Sequence, residues 1–267
     1  MSGTAGLPSL PAGLPPPTDA RPLAGGDVGQ AWLARLSDGT TVVVKRGPGD
    51  ATLEAEGLAA LRTAGAETPA VLGVEDTVIV LEYVSEPGDP ADLGRRLARV
   101  HATTGPGFGW HRDNLIGPLP QANPWHDDWA GFLAEQRLAP HLDALPGHLR
   151  VRIARAIDDG RLARRADHDV ATSLVHGDLW AGNILHERWL IDPAVHHADR
   201  EVDLAMLELF GAVPPTMQRG YDEVWPLDAG AEERRPLLQL YPLLVHVRLF
   251  GSAYLPSVAS RLDQLGW

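Results

Sequence analysis

The stretch that decides the fold occupies residues 176–183 and reads His-Gly-Asp-Leu-Trp-Ala-Gly-Asn. It contains a carboxylate, Asp178, and a carboxamide, Asn183, five positions apart. At this spacing one loop can present the carboxylate to an acceptor hydroxyl and the carboxamide oxygen to a metal ion. Residues 173–175, Ser-Leu-Val, predict a short buried strand that leads into the loop. We therefore predict a phosphoryl-transfer site with Asp178 as its catalytic base.

A second candidate metal ligand, Asp192, ends a predicted hairpin that starts at Asn183. Protein kinases place a catalytic aspartate and a metal-binding asparagine at the same five-residue spacing. A carboxylate that leaves an apolar strand beside the asparagine is well placed to chelate a Mg²⁺ ion that bridges the phosphates of ATP. An aspartate before proline also commonly starts a turn, but the pairing with Asn183 favours a metal site. The sequence thus predicts Mg²⁺ at Asn183 and Asp192.

A lysine and a glutamate upstream complete the pattern of a phosphotransferase. Lys45 ends the β-branched run of residues 41–45, and Glu54 lies on a predicted helix over residues 53–61. A lysine in this position neutralises phosphate oxygens, and a carboxylate on the helix holds its ammonium group in place. Glu56 is the competing partner, because the spacing does not exclude a helical offset of two residues.

A glycine-rich turn precedes Lys45 by one predicted hairpin. Residues 25–29 read Gly-Gly-Asp-Val-Gly, so Gly25, Gly26 and Gly29 could bring backbone amides close to a triphosphate. The turn is neither a Walker A sequence nor a complete kinase glycine loop. Its position before the lysine strand indicates a nucleotide-binding role.

The order of the predicted elements indicates an α+β protein with a two-lobed, protein-kinase-like fold. Residues 1–20 are rich in proline and glycine and predict a loosely ordered lead-in. Residues 21–84 predict a small, antiparallel, β-rich N-lobe with one helix, which binds the nucleotide. Residues 85–267 predict a larger, mainly helical C-lobe with the catalytic loop and the substrate site, and residues 85–90 form the linker.

The spacing of apolar residues along the chain predicts the individual helices and strands. In the N-lobe, strands over residues 30–36 and 41–45 predict a hairpin, and residues 77–83 predict a further strand. The predicted helices of the C-lobe cover residues 92–101, 129–138, 149–162 and 236–265. The last of these stretches is expected to form one or two helices interrupted at Pro256.

The charge of the chain limits its partners. The 267 residues include 23 Lys and Arg against 35 Asp and Glu, a formal charge of −12. A field of this sign repels nucleic acids and anionic membranes, so neither is expected as a partner. No apolar run reaches the roughly 20 residues that span a bilayer, the first residues lack a signal-peptide pattern, and cysteine is absent. We expect a cytoplasmic protein, with a monomer as the default oligomeric state.

Two loop-like stretches concentrate aromatic and polar residues. They are residues 108–114, which include His111, and residues 123–129, which include Trp125 and Trp129. Aromatic faces beside hydroxyl-binding groups suit a sugar-like ligand, although tryptophans at such positions also fill the core between helices. We predict that His111 contacts the substrate.

The motifs together resemble the fructosamine/ketosamine-3-kinase family, within the broader aminoglycoside-phosphotransferase and protein-kinase-like superfamily. The resemblance rests on residues 175–183, on residues 191–194 (Ile-Asp-Pro-Ala) and on residues 199–206 (Asp-Arg-Glu-Val-Asp-Leu-Ala-Met). It covers about residues 20–265. Trp180 is the most discriminating position, because aminoglycoside and choline kinases share His-Gly-Asp but usually not the tryptophan.

The resemblance implies ATP- and Mg²⁺-dependent phosphorylation of the sugar 3-hydroxyl of ketosamines, including glycated lysines of proteins. The 3-phosphate makes the adduct unstable, so the amine is released. Lys45 and Glu54 would form an ion pair, and the adenine-binding hinge would be Glu82, Tyr83 and Val84. The residues expected at the substrate are Trp180, His111, Asp199 and Arg200. The residues expected to support the catalytic loop are His176, Glu201 and Asp203.

Two departures from the family pattern bear on substrate preference. The hairpin between Asn183 and Asp192 is shorter than expected of the family, and His196-His197 replaces a pair that is often aromatic. A kinase for another small hydroxyl compound, such as an aminoglycoside, choline or a sugar, is the alternative enzyme. A nucleotide-binding pseudokinase is the alternative from another class, although none of the groups needed for phosphoryl transfer is missing from the sequence.

Overall fold

The computed structural model describes residues 6–23 and 29–267, which form two lobes of different composition. The smaller, N-terminal lobe contains a five-stranded antiparallel sheet and one helix. The larger, C-terminal lobe contains nine α-helices among the described residues and three two-stranded sheets. This architecture confirms the predicted two-lobed α+β fold. No helix in the described ranges is both long and apolar enough to cross a membrane.

The N-lobe is built around its central strand. Its elements are β1 (Pro17–Pro22), β2 (Gln30–Leu36), β3 (Thr41–Arg46), α1 (Ala51–Thr63), β4 (Val71–Glu75) and β5 (Val78–Glu82), and the strand order is β1-β2-β3-β5-β4. Val42 and Val44 of β3 are fully buried on one face of the sheet. Alternate residues of a strand share a face, so Lys45 lies on the other face with Val43, which packs against α1. The predicted hairpin of β2 and β3 is confirmed.

The proline-rich start of the chain belongs to the N-lobe, which corrects the expectation of a loosely ordered lead-in. Strand β1 begins at Pro17, inside the predicted lead-in, and pairs with β2. Leu7, Leu10 and Leu14 pack against the same buried cluster as β2 and β3. Prolines are tolerated here because β1 is an edge strand, where a missing N–H costs no ladder hydrogen bond.

The C-lobe consists mainly of short helices joined by tight connections. Its helices are α2 (Pro90–His101), α3 (Trp129–Phe132), α4 (Gly147–Asp158), α5 (Arg161–Ala166), α6 (Glu201–Leu209), α7 (Pro215–Asp222), α8 (Ala231–Leu238), α9 (Leu240–Phe250) and α10 (Leu255–Gln264). Its strands are β6 (Asn114–Ile116), β7 (Leu119–Gln121), β8 (Ser173–Val175), β9 (Ile184–Leu185), β10 (Trp189–Leu190) and β11 (His196–Ala198).

Three of the predicted C-lobe helices are interrupted. The first passes from α3 into a π-helical turn (Leu133–Leu138), because Pro140 cannot donate the hydrogen bond that would continue an α-helix. The second breaks at Gly160, which adopts φ 74° between α4 and α5. The third stretch contains parts of three helices, because it breaks at Gln239, between α8 and α9, and again at Gly251 (φ 79°). It does not break at Pro256, which lies in the first turn of α10, where proline is favoured.

The catalytic loop is anchored in the hydrophobic core of the C-lobe. Leu179, the residue after the candidate base, is fully buried and belongs to a cluster that includes Leu97 of α2, Leu174 of β8 and Tyr221 of α7. Burying a leucine side chain stabilises a fold by about 2 kcal/mol. The loop that carries the candidate catalytic groups is therefore held by core packing rather than by surface contacts.

Helices α2 and α7 cross so closely that only glycine fits at the contact. A Cβ atom at Gly220 would lie 2.0 Å from the carbonyl oxygen of Ala91. We expect Gly220→Ala to lower the free energy of unfolding by about 2–3 kcal/mol, the cost of overpacking a core. Urea denaturation measures this. Gly147→Ala is the matched control, since no atom lies within 4 Å of the Cβ added there, and equal stability of the two variants would contradict the close crossing.

Candidate active site

The catalytic loop follows β8 and requires glycine at its second position. Gly177 adopts φ 82°, and a Cβ atom there would lie 2.2 Å from the carbonyl oxygen of Ala194. Asp178 follows, partly buried, with its backbone amide 3.3 Å from Nδ1 of His176. The other ring nitrogen of His176, Nε2, is 2.9 Å from the carbonyl oxygen of Ile191. This arrangement fixes the direction in which the Asp178 carboxylate points.

A buried carboxylate, Asp203 of α6, holds the loop from below. It accepts hydrogen bonds from the backbone amides of His176 (2.7 Å) and Gly177 (3.0 Å), and His101 Nε2 lies 3.1 Å from it. Burial alone would raise the pKa of Asp203, but the hydrogen bond and charge interaction with His101 hold it below its usual value. A charged group at 1% exposure is tolerated because it is fully hydrogen-bonded. These contacts are those expected of a residue that supports the loop.

Asn183 and Asp178 face each other across the loop. The Asn183 amide donates to the backbone oxygen of Asp178 at 2.8 Å and to its carboxylate at 3.2 Å. Burial, followed by the negative charge of Asp192, raises the pKa of Asp178 to about 7. A carboxylate with this pKa is basic enough to accept a proton from a hydroxyl near neutral pH.

Lys45 links the two lobes through two carboxylates. Its Nζ lies 2.6 Å from Glu54 Oε1 on α1, and it forms a second ion pair with Asp192 of the C-lobe. Burial disfavours the ammonium, but the charges of Glu54 and Asp192 outweigh this and raise the pKa of Lys45 above its ordinary value. Of the two glutamates left open by the sequence, Glu54 is the one within reach of the lysine.

Glu56, the other glutamate of α1, ties the helix to the C-lobe instead. Its carboxylate accepts from Trp110 Nε1 (2.7 Å) and is paired with His111 Nε2 (3.0 Å) and Arg112 Nη2 (2.7 Å). Three donors from one loop thus converge on one carboxylate. From the sequence, Glu56 is only a candidate partner for Lys45, because the approach of residues 110–112 to α1 depends on tertiary packing.

Asp192 has the backbone and the neighbours expected of a functional carboxylate. It follows the hairpin of β9 and β10, whose connecting turn (residues 186–188) has positive φ angles at His186 and Glu187. Asp192 itself adopts φ 55°, a conformation that aspartate accepts more readily than most residues. Desolvation acts to raise its pKa, but the Lys45 ammonium keeps it below the ordinary value, so the group is ionised.

The donor set of the loop fits a hard divalent cation. Carboxylate oxygens of Asp178 and Asp192 and the amide oxygen of Asn183 are the ligand types that Mg²⁺ prefers. Both hydrogen bonds of the Asn183 side chain use its nitrogen, which leaves the amide oxygen pointing the other way. Asn183 and Asp192 are therefore chemically suited to the metal positions predicted for them.

The structure corrects two predicted substrate residues. Asp199 is 2% exposed, and its oxygens lie 2.9 Å from the amide of Glu201 and 3.2 Å from His168 Nε2. Arg200 donates to the backbone oxygens of Trp225 (2.6 Å) and Pro226 (2.8 Å). Both side chains are committed to packing around the start of α6, so neither is available to a substrate. The resemblance gave no information on burial, and the start of α6 turns these two side chains toward the interior of the C-lobe.

The remaining predicted residues lie in several environments. Glu201, expected to support the loop, forms a buried ion pair with Arg234 at 2.6 Å. Trp180 is 41% exposed, and its ring lies over the backbone of Gly182. His111 is exposed apart from its contact with Glu56.

In the predicted hinge, Glu82 and Tyr83 are exposed and Val84 is buried. In the predicted glycine-rich turn, Gly25 and Gly26 lie outside the described residues. Gly29 directly precedes β2, and a Cβ atom there would be 3.1 Å from the Arg46 oxygen. The nucleotide-binding roles of these residues stay predictions.

Comparisons with known proteins agree with the motifs. A family model described as fructosamine kinase matches residues 14–266. The chain is 37% identical over 264 residues to the Escherichia coli protein named "Probable ketoamine kinase YniA", which covers 91% of each chain. A solved structure of a candidate fructosamine-3-kinase from Thermobifida fusca superimposes with a TM-score of 0.84 at 35% identity, covering 93% of each chain.

A more distant structure confirms the fold alone. A choline/ethanolamine kinase family protein from Mesorhizobium loti matches with a TM-score of 0.60 at 17% identity, covering 96% of this chain and 88% of that one. The fold and the loop geometry thus define a kinase of the protein-kinase-like superfamily. Within it, this chain belongs to the fructosamine kinase family.

We expect Glu56→Gln to weaken the tie between α1 and the C-lobe. Loss of the charge removes the partly exposed ion pair with Arg112, which is worth about 0.2–1 kcal/mol, and weakens the contacts with Trp110 and His111. The free energy of unfolding should fall by about 1 kcal/mol, and the KM for ATP should rise as Lys45 loses its fixed position. Glu75→Gln, at an exposed position of β4, is the control. If both variants match the wild type in urea denaturation and ATP kinetics, Glu56 has no such role.

We also expect Asp178 to destabilise the free protein at neutral pH. Its carboxyl pKa is raised from 3.8 to about 7 in the folded state, so between these pH values the folded protein holds a proton that the unfolded chain releases. Stability therefore falls as pH rises from 4 to 7. Asp178→Asn removes this dependence and should be more stable than wild type at pH 8 by on the order of 1–3 kcal/mol, reduced by partial solvent screening.

Urea denaturation at a series of pH values, without metal or nucleotide, measures the difference between wild type and Asp178→Asn. The control is Asp158→Asn, at an exposed position at the end of α4. A difference between wild type and Asp178→Asn that does not change with pH would contradict the raised pKa.

Proposed function

We propose that this protein is an ATP-dependent kinase that phosphorylates the 3-hydroxyl of ketosamines, the sugar adducts formed when amines are glycated. One observation carries the proposal: Asp178, Asn183 and Asp192 lie together at the end of one loop and hairpin, and Lys45 reaches Asp192 from the other lobe. A base, a set of metal ligands and a cation that can bind phosphate are the parts that phosphoryl transfer needs.

The proposed reaction moves one proton and one phosphoryl group. The acceptor hydroxyl donates its hydrogen bond to the Asp178 carboxylate, and its oxygen forms a bond to the γ-phosphorus of ATP. The bond from that phosphorus to the β,γ-bridging oxygen breaks, the hydroxyl proton passes to Asp178, and ADP leaves. The raised pKa of Asp178, about 7, suits this role because the group is ionised at slightly alkaline pH and still accepts a proton readily.

Lys45 stabilises the negative charge of the nucleotide in this proposal. Its ammonium is held by Glu54, so it can exchange its contact with Asp192 for phosphate oxygens without losing its position. Asn183 and Asp192 would hold a Mg²⁺ ion, which neutralises triphosphate charge when bound. Catalysis then rests on positioning and charge stabilisation rather than on a covalent intermediate.

The ketosamine specificity rests on the family and on Trp180. The relatives that match this chain are named fructosamine and ketoamine kinases, and the name of the Thermobifida fusca protein specifies position 3. Trp180 is two residues from Asp178, and its exposed indole can stack on the apolar face of a sugar. A 3-phosphorylated ketosamine is unstable and releases the amine, so the proposed biological result is removal of the glycation adduct.

Asp178→Asn should abolish most of the activity while the variant still binds ATP. Loss of a general base lowers kcat by roughly 100-fold or more, whereas the nucleotide contacts proposed for Lys45 are unchanged. Steady-state ADP release and Mg·ATP titration measure the two effects, with Asp158→Asn as the control for the loss of a carboxylate. Unchanged turnover in Asp178→Asn would contradict the assignment of the base.

A comparison of acceptors tests the substrate class. We expect ADP release to be at least ten times faster, as kcat/KM, with ketosamines than with aminoglycosides, choline or free sugars. Preference for one of these other acceptors would establish a different small-molecule kinase. Binding of Mg·ATP without turnover of any acceptor would indicate a pseudokinase.

A further inference from the structure

A small cavity of the C-lobe adjoins the proposed base. It has a volume of about 40 Å³, enough for two or three water-sized groups. Gly177 and Asp178 belong to its lining, together with residues of α3, the following π-helical turn, α6 and α9. Most of the lining is apolar, and its hydrogen-bonding side chains include Trp129, Arg137 and Tyr241. An acceptor whose hydroxyl meets Asp178 therefore has one neighbouring space into which it can extend.

Two buried N–H donors belong to the lining of this cavity. Trp129 Nε1 and Arg137 Nε have no hydrogen-bond partner among the residues that the structure describes. The two side chains are only 5% and 1% exposed. Buried donors are almost always paired in folded proteins, by protein, water or ligand. Two such donors on one cavity beside a base are a signal for a ligand with oxygen acceptors.

The guanidinium of Arg137 is already fixed in place, which leaves one direction for a ligand. Nη1 donates to the oxygen of Ala122 (2.7 Å), and Nη2 donates to Asn123 Oδ1 (2.6 Å). The ring of Phe132 packs against the face of the guanidinium, whose Cζ atom lies 4.4 Å from the ring centroid. Nε is thus held in a fixed position as an N–H with no partner among the described residues, and a fixed donor loses little conformational freedom when a ligand binds.

Tyr241 adds an acceptor to the same wall. Its hydroxyl donates to Gln121 Oε1 at 2.6 Å, so the phenolic oxygen can still accept a hydrogen bond from a hydroxyl group. Donors and an acceptor among apolar side chains match a chain of CH–OH groups, which presents hydroxyls on one side and C–H bonds on the other.

The charge of the cavity sets the direction of the ligand. Arg137 is a buried cation, so a second cation in the same small space is disfavoured. A ketosamine carries its charge on the amine nitrogen at carbon 1 and its hydroxyls on the carbons beyond. The sugar tail can enter the cavity, whereas the ammonium must point away from it.

We propose that the hydroxyls beyond carbon 3 of the ketosamine bind in this cavity, accept hydrogen bonds from Trp129 Nε1 and Arg137 Nε, and leave the amine directed toward solvent. This inference rests on the proposed function. An outward amine allows the substrate to be a glycated lysine that is still part of a protein, because the peptide remains outside.

The first test compares two substrates with two variants. The substrates are the ribulosamine adduct of an N-blocked lysine and its 5-deoxy analogue, which lacks the terminal hydroxyl. Trp129→Phe keeps an aromatic ring against Phe108 and Phe132 but removes the N–H. Trp32→Phe is the control, since Trp32 is equally buried (5%) in the N-lobe.

In the wild type and in Trp32→Phe, removal of the hydroxyl should lower kcat/KM about tenfold, through KM. In Trp129→Phe the two substrates should be used equally, with the KM for ATP unchanged. If Trp129→Phe prefers the ribulosamine adduct over its 5-deoxy analogue by the same factor as the wild type, the proposal is overturned.

The second test needs neither catalysis nor a variant that folds perfectly. The ¹H–¹⁵N indole signal of Trp129, assigned by its absence from Trp129→Phe, is followed in the wild-type protein as the ribulosamine adduct is added without ATP. A change in the chemical shift of this signal that saturates with adduct concentration, and that is smaller with the 5-deoxy analogue, supports the site even if no phosphate is transferred. An unmoved Trp129 signal in an enzyme that phosphorylates the adduct overturns this inference and leaves the proposed function intact.

Discussion

The ion pairs of Lys45 are the interaction on which the rest of the structure depends. The lysine projects from the central strand of the N-lobe, Glu54 from its helix and Asp192 from the end of a C-lobe hairpin. Three elements from two lobes thus meet at one ammonium group. Such a pair costs desolvation energy, so it is weak evidence for stability. It is better understood as a site kept charged so that phosphate oxygens can compete for the lysine.

The C-lobe contributes rigidity to this arrangement. Asp203 binds two successive amides of the catalytic loop, Gly177 permits its sharp turn, and Leu179 anchors it in the core. Asp178 is therefore held in position before any ligand binds, and its raised pKa is the consequence of partial burial beside a second carboxylate. The same burial that suits Asp178 to the proposed role of base makes its ionised form unfavourable for folding at neutral pH.

The sequence was informative where chemistry is local. The loop of residues 176–183 carries the proposed base and a proposed metal ligand within one octapeptide, and β-branched runs define the strands around Lys45. The sequence was less informative where packing between distant segments determines which side chains meet. The ties of Glu56 to residues 110–112 join segments about 55 positions apart. The unpaired nitrogens of Trp129 and Arg137 become visible only once the helices are in place.

Some errors also have a common physical origin. The predicted helix over residues 149–162 ignored the left-handed conformation available to Gly160, and the lead-in ignored that prolines are tolerated in an edge strand. Asp199 and Arg200 are expected at the substrate from the family resemblance, which carries no information on their burial. In the structure both lie against groups inside the C-lobe: Asp199 lies beside the Glu201 amide and His168, and Arg200 donates to backbone oxygens. The residue types in the sequence therefore indicate the chemistry proposed for the site, but they do not show which side chains reach it.

The position of the transferred phosphate tests the central claim most directly. The protein is incubated with ATP, Mg²⁺ and the ribulosamine adduct of an N-blocked lysine, and the product is analysed at once by ¹H–³¹P correlation NMR. A ketosamine 3-kinase gives a phosphorus signal coupled to the proton on carbon 3, followed by slow release of the N-blocked lysine. A phosphate on any other carbon, or no phosphorylated adduct although Mg·ATP binds, would contradict the proposed function.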